Sequence, residues 1–318
     1  MKYRRLGQTG LKISEIAIGG WLTYGGPVEQ ERTDSIIGAA IEAGVNFIDL
    51  SDIYAHGKAE TMVGHAIRPF ERHRLVISSK LFWPMSPDVN DKGLSRKHIM
   101  ESVERSLKRI GTDYLDLYFC HRFDPETPME ETVRAMDDLV HQGKVLYWGT
   151  SVWTAAQIEQ AVGTARVNRA YAPVVEQPRY NMLDRHVEAE IMPTCARNGM
   201  GLVVWSPLAQ GLLTGKYRNG APEGSRGAET RWLRELLTPE NISRAQRLED
   251  LAGELNCALS QLALAWILRR PEVTCAITGA TQVEQLQQNV MASEIALDDD
   301  ALAKIEAILG GPEQTDAG

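Results

Sequence analysis

Eight short apolar runs punctuate the chain, at 16–20, 46–50, 75–80, 114–121, 145–151, 173–177, 201–206 and 275–279. They are β-branched or aliphatic and alternate little with polar residues. Strands buried on both faces of a parallel sheet have this pattern. Between them lie longer stretches with apolar positions every three or four residues. The stretch 31–42 sets Ile36, Ile37, Ala40 and Ile41 on one face. The stretch 95–109 opens on Ser95 as an N-cap and aligns Ile99, Val103, Leu107 and Ile110. The stretch 127–141 aligns Val133, Met136, Leu139 and Val140 and stops at Gly143. Similar helices are predicted over 155–165, 186–197, 260–269 and 283–292. Strand followed by helix, repeated through the chain, predicts an α/β fold, a closed (β/α)8 TIM barrel. The alternative is an open doubly wound sheet, which wants G-x-G-x-x-G after its first strand. That motif does not occur there.

Three segments fall outside the alternation. Residues 1–14 read as a β-hairpin turning at Gln8-Thr9-Gly10, placed to cap the barrel bottom. Residues 208–240 form a long Gly-, Arg- and Pro-containing loop after the seventh strand, a candidate lid or clamp. Residues 297–309 read as a final helix, and 310–318 as a polar tail expected to be disordered. No low-complexity linker divides the chain, so 1–309 is expected to be one barrel domain.

Composition narrows the class of function. In 318 residues, 34 Lys and Arg against 42 Asp and Glu give a formal charge of −8. That sign argues against nucleic acid or an anionic membrane as the main partner. No apolar run approaches the roughly 20 residues of a membrane helix, and the start lacks the apolar core of a signal peptide. Cys120, Cys195, Cys257 and Cys275 form no C-x-x-C pair and read as reduced core thiols. A cytoplasmic protein is expected.

In such a barrel, chemistry sits where the strands end. The second strand ends in Asp49, with Tyr54 in the loop beyond. The third ends in Lys80 and the fourth in His121. A tyrosine, pKa near 10, is a poor acid at neutral pH. A nearby ammonium lowers that pKa, a carboxylate holds the ammonium charged, and a histidine can hydrogen-bond a substrate oxygen. This is equipment for protonating an alkoxide as it forms at a carbonyl. It supplies no electrons, so a hydride donor must bind beside it. Metal hydrolysis would want clustered histidines, but His56, His65, His73, His98, His141 and His186 read as loop or helix-surface residues, so no metal site is expected. Gly211-Leu212-Leu213-Thr214-Gly215-Lys216 mimics a phosphate loop, but Gln210 and Tyr217 break the spacing. Lys216 can still neutralise a pyrophosphate. A Cys120–His121 nucleophile pair is disfavoured, because strand neighbours point to opposite faces.

The motifs Phe47-Ile48-Asp49 with Tyr54, Gly57-Lys58-Ala59-Glu60, Gly93-Leu94-Ser95-Arg96-Lys97-His98-Ile99, Thr127-Pro128-Met129-Glu130-Glu131-Thr132 and Tyr147-Trp148-Gly149-Thr150-Ser151 resemble the aldo-keto reductase superfamily. Within it they are most similar to the branch of potassium-channel β-subunits and their bacterial relatives, from about Tyr3 to Leu309. The resemblance implies an extended NADPH or NADP+ and a tetrad that falls on Asp49, Tyr54, Lys80 and His121. It implies cofactor contacts from Gly20, Trp21, Asp49, Ser151 and Gln177 around the nicotinamide, with Trp205 stacked on its ring. Ser206, Pro207, Leu208, Ala209 and Lys216 match the pyrophosphate stretch and Arg226 the clamp over the adenosine. Gly279, Thr281, Gln285, Gln288 and Asn289 match the adenosine phosphate motif at a helix N-terminus. Substrate contacts are expected from Tyr54, His121, Trp21, Tyr24 and Trp83. Phe123 and Trp153 add to an apolar or aromatic pocket.

The chain departs from the channel branch at several positions. His121 stands where those proteins usually carry Asn, Val152 where they carry Arg, Pro27 for Gln, Gln288 for Glu and Thr281 for Ser. No Lys occupies the eighth-strand motif, so preference for the 2′-phosphate rests on Thr281, Gln285, the helix end and Arg226. The expected activity is NADPH-dependent reduction of a small-molecule carbonyl substrate. The alternative is an NADP(H)-binding regulatory subunit that turns over slowly. His121, together with the lack of an inactivation-type N-terminal extension, favours the enzyme. A homo-oligomer, tetramer or higher, is implied by resemblance alone.

Overall fold

The computed structural model describes residues 1–217 and 236–310. Two short strands come first, β1 (Tyr3–Arg5) and β2 (Lys12–Ser14), paired antiparallel with Tyr3 opposite Ser14. Eight parallel strands then close into a barrel: β3 (Ile16–Gly19), β4 (Phe47–Asp49), β5 (Val76–Leu81), β6 (Leu115–Cys120), β7 (Val145–Ser151), β8 (Val175–Gln177), β9 (Gly201–Val204) and β10 (Val273–Thr278). Each pairs with its successor, and β10 returns to β3. The described helices are α1 (Gln30–Glu42), α2 (Lys58–Ala66), α3 (Arg96–Ile110), α4 (Met129–His141), α5 (Ala155–Asn168), α6 (Ile191–Arg197), α7 (Pro239–Glu254), α8 (Leu259–Leu268), α9 (Val283–Met291) and α10 (Asp299–Leu309).

The period of two along each strand sorts the side chains into two cores. Ala17, Phe47, Val76, Leu117, Phe119, Val175, Val203, Cys275 and Ile277 fill the barrel interior. Their neighbours Ile48, Ile77, Tyr118 and Val204 face outward and pack against the helices. The hairpin closes the lower end, with Leu6 and Ile13 joining the interior cluster. Gly7 makes this closure possible: its φ is +53°, and a Cβ there would lie 2.3 Å from the Gly199 carbonyl oxygen. Arg4 fixes the hairpin from the side, pairing with Glu15 at 2.6 Å and donating to the carbonyl oxygens of Leu268, Arg270 and Val273.

The local signals act as sequence chemistry requires. The Ser95 hydroxyl accepts from the His98 amide at the start of α3. Thr154 and Gln157 form a capping box at α5. Two elements depart from the expected ones. The helix expected over 186–197 is instead a 3-10 turn, His186–Glu188, followed by α6. Pro193 explains the break, because its ring would clash with the carbonyl of a preceding helical turn. A helix absent from the sequence reading, α7, follows the long loop, with Thr238 as N-cap and Pro239 in its first turn. Most of the 208–240 loop, and the tail beyond Gly310, lie outside the described residues.

Candidate functional site

The same alternation that fills the interior with apolar groups delivers polar ones at the upper ends of the strands. Two residues past Phe47 comes Asp49. Four past Val76 comes Lys80, two past Phe119 comes His121, and two past Val175 comes Gln177. These inward positions converge on the mouth. Tyr54 arrives from the loop after β4, at the head of a 3-10 turn, Tyr54–Gly57, in which Ala55 and His56 adopt the left-handed region. Leu22, Val152, Ser206 and Gln210 do the same in other loops at this end. Backbone strain of this kind collects at functional sites.

Lys80 is fully buried and joins the group together. Its Nζ donates to Asp49 Oδ2 at 2.7 Å, to the Leu50 carbonyl oxygen at 2.7 Å and to the Tyr54 hydroxyl at 3.1 Å. Ser78 Oγ and Gln177 Nε2 donate to the other Asp49 oxygen, at 2.8 and 3.0 Å. Burial opposes the Lys80 charge, but the Asp49 carboxylate and Tyr54 outweigh it and hold the lysine pKa above its ordinary value. Burial raises the Tyr54 pKa more than Lys80 lowers it. This net direction is opposite to the sequence expectation, which counted the ammonium and not the desolvation. Tyr54 is thus protonated at neutral pH, with the ammonium moderating its rise.

His121 stands edge-on to Tyr54, ring centres 6.0 Å apart. Burial, then the charges of Lys80 and Arg122, hold its pKa well below normal, so the ring is neutral. Its Nδ1 lies 3.2 Å from Ser51 Oγ, which also reaches Asp52 Oδ1 at 3.3 Å. Asp52 is pushed up to about 7 by burial and by the neighbouring Glu60 charge. Glu176 also rises to about 7 through burial; it accepts from Thr150 Oγ1 and sits behind the Ser151–Gln177 pair. Ser151 Oγ donates to the Gln177 carbonyl oxygen at 2.9 Å.

A cavity of about 760 Å³ opens over these groups, within the range of sites for sizeable organic ligands. Asp49, Tyr54 and His121 line one end, with Trp21, Trp83, Ser151 and Gln177. The Trp205 indole lines the wall, edge-on to Trp21 with centres 6.1 Å apart. The floor then runs through Ser206, Pro207, Leu208 and Lys216 to Gly279, Thr281, Gln285, Gln288 and Asn289. Gly211 adopts a φ of +97°, and the end of the Lys216 side chain lies against it. At the far end, Gln282 caps α9 without a side-chain hydrogen bond. Among the described residues no side chain caps the first amides of that helix, which could hold an anion. Thr281 is preorganised by its amide and hydroxyl, which donate to Gln285 Oε1 at 2.9 and 3.2 Å. An aromatic wall, one ammonium and an open helix N-terminus, spaced along one groove, fit an extended dinucleotide.

Some expected residues lie elsewhere. Tyr24 is not in the cavity wall. It is buried in the core, and its hydroxyl has no hydrogen-bond partner among the described residues. Its ring lies against Gly20, where an added Cβ would sit 3.6 Å from Tyr24 Cδ2, and its amide donates to the Gly20 carbonyl oxygen at 3.3 Å. Gly20 and Ala209 shape the backbone without lining the cavity. Trp153 is buried with Phe123 packed edge-on against it at 5.2 Å, and neither lines the wall. His98, read as a surface residue, is fully buried beside Asp91. Arg226 lies outside the described residues. Conversely, Arg122, Ile53, Ala258, Ser260 and Thr278 line the cavity without having been singled out. Arg122 directly follows His121, and that adjacency was the available signal.

Among the described residues no helix is long and apolar enough by itself to cross a membrane, and no three His, Cys, Asp or Glu side chains are grouped to hold a metal. The sequence matches the aldo/keto reductase family over residues 15–310. It is 44% identical to a protein of Arabidopsis thaliana provisionally named voltage-gated potassium channel subunit beta, over 97% of both chains. A similarly named protein of Oryza sativa subsp. japonica is 42% identical over 100% of this chain and 99% of its own. One from Schizosaccharomyces pombe is 43% identical over 96% and 93%. A family match across nearly the whole barrel, with relatives of this identity and coverage, means that the chain belongs to the aldo/keto reductase family, whose members are oxidoreductases that generally bind NAD(P)H.

Proposed function

We propose that this protein is an NADPH-dependent reductase of aldehydes and ketones in which Tyr54 is the general acid. The observation that carries the reading is the buried Lys80 ammonium, bonded at once to Asp49 and to the Tyr54 hydroxyl at the mouth of a dinucleotide-sized groove. The bound cofactor supplies the hydride with its electron pair. Tyr54 gives its proton to the carbonyl oxygen as the π electrons move onto it, so the aldehyde or ketone leaves as an alcohol. Lys80 stabilises the tyrosinate left behind, and Asp49 keeps the lysine charged and in place. Neutral His121 orients the carbonyl by hydrogen bond. Gln177, anchored through Asp49, and Ser151 hold the nicotinamide amide, while Lys216 and the α9 N-terminus take the phosphates. NADPH consumption against a panel of aldehydes and ketones tests this reading directly. NADPH is expected to quench tryptophan emission, since Trp205 would stack on it, and to bind more tightly than NADH. Equal affinity would remove the proposed 2′-phosphate contacts at Thr281 and Gln285.

The names of the relatives favour a second reading, a subunit that binds NADP(H) for regulation and turns over slowly. His121→Asn tests the residue on which the reductase reading leans, and makes the site resemble the channel β-subunits. On the reductase reading it lowers turnover while NADPH affinity stays nearly intact, because an amide donates a hydrogen bond with a different reach. Unchanged turnover on a good substrate would show that the reductase reading leans too hard on His121.

A further inference from the structure

Arg122 has no task in the chemistry above, yet it lines the cavity beside Tyr54, Trp83 and His121. Its Nη1 donates to the His121 carbonyl oxygen, and its guanidinium carbon lies 5.7 Å from the Trp83 ring centre. Arg4, Arg72, Arg109 and Arg185 each pair with a carboxylate; Arg122 takes part in no ion pair among the described residues. Glu176 is near enough to influence it but is turned away, accepting from Thr150 and the Trp153 amide. The other nearby cation, Lys80, is neutralised by Asp49 at 2.7 Å. Tyr54 is protonated and His121 neutral. Among the described residues, the reacting end of the groove therefore carries one positive charge without an ion-pair partner, half-buried beside the Trp83 ring.

A charge removed from water without a counter-ion is costly, and a ligand that supplies the counter-ion recovers that cost. The guanidinium is a planar fork whose spare donors match a carboxylate. Trp21 and Trp83 line the same cavity, Trp83 edge-on to His121 with ring centres 6.3 Å apart. We propose that Arg122 binds an anionic group on the substrate, and that the substrate class is an aldehyde bearing a carboxylate, with its carbonyl at Tyr54 and His121. The proposal rests on the reductase reading for the carbonyl end and on Arg122 for the other.

The test compares 4-carboxybenzaldehyde with its neutral methyl ester, which differ in charge at nearly constant shape. The wild-type protein is expected to favour the acid in kcat/KM by roughly tenfold or more. In Arg122→Met, which keeps length and packing against Trp83, the acid-to-ester ratio should collapse toward one, chiefly through KM. Arg122→Lys should restore part of it. The NADPH dissociation constant, read by tryptophan quenching, shows whether the fold and groove survive the substitution. Benzoate titrated calorimetrically into the NADP+-loaded protein gives a readout without turnover. Benzoate binding lost in Arg122→Met, with no turnover of either aldehyde, would retire the reductase reading and keep the anion site. Turnover of both aldehydes with no preference for the acid, or a preference that survives Arg122→Met, would overturn the proposal and leave the reductase standing.

Discussion

Tyr54→Phe is expected to cut carbonyl reduction by roughly 10²-fold or more while leaving NADPH binding intact. The substitution removes the hydroxyl to which Lys80 donates, and with it the transferable proton, and keeps the ring. The phenyl group can still lie under the Lys80 ammonium, 4.8 Å from the ring centre, and against His121. Lys80→Met should also cost turnover more than binding, by a different route. Burial already raises the Tyr54 pKa, and the ammonium is the largest influence drawing it back. Without it the hydroxyl becomes a weaker acid still. The two losses should be strongly non-additive, since they disable one unit. A double variant losing the product of the single effects would mean that Lys80 works independently of Tyr54. The proton-donor mechanism would then have to be given up.

The barrel was legible because its strands are short, apolar and regularly spaced by amphipathic helices, and because inward positions follow a period of two. That period connects Phe47 to Asp49 and Phe119 to His121, so a tetrad spread over 73 positions of sequence could be assembled without a structure. What could not be read were properties set by packing. Tyr24 looked like a pocket aromatic, but it is buried in the core with its ring against Gly20. His98 looked like a helix-surface residue, but the loop before α3 covers it. The direction of the Tyr54 pKa depends on desolvation, and a list of neighbouring charges omits that. The Ser51 contact to His121 and the carboxylates of Asp52 and Glu176 behind the site are legible only once the strands are in register. Helix α7 was hidden for a different reason: the loop before it carries no periodicity from which its start could be counted.

Asp49→Ala should be the most destabilising single change at this site. Lys80 is fully buried, and Asp49 is its carboxylate partner at 2.7 Å. Removing one member of a buried pair leaves an uncompensated charge and typically costs about 3–5 kcal/mol. Ser78 and Gln177 lose their acceptor at the same time. Lys80→Met in the same chain removes the stranded charge, so the double variant should be more stable than Asp49→Ala alone. The pH dependence gives an independent check. Without Asp49, burial would depress the Lys80 pKa below that of the unfolded chain, about 10.4. Between the depressed value and about 10.4 the unfolded chain binds more protons than the folded one, so stability rises with pH through that window. Denaturation midpoints of Asp49→Ala should therefore approach the wild type in alkaline buffer and fall furthest behind below the depressed pKa. A deficit that does not change with pH, or a double variant weakened by the sum of its parts, would mean that the Lys80 charge is held by something other than Asp49.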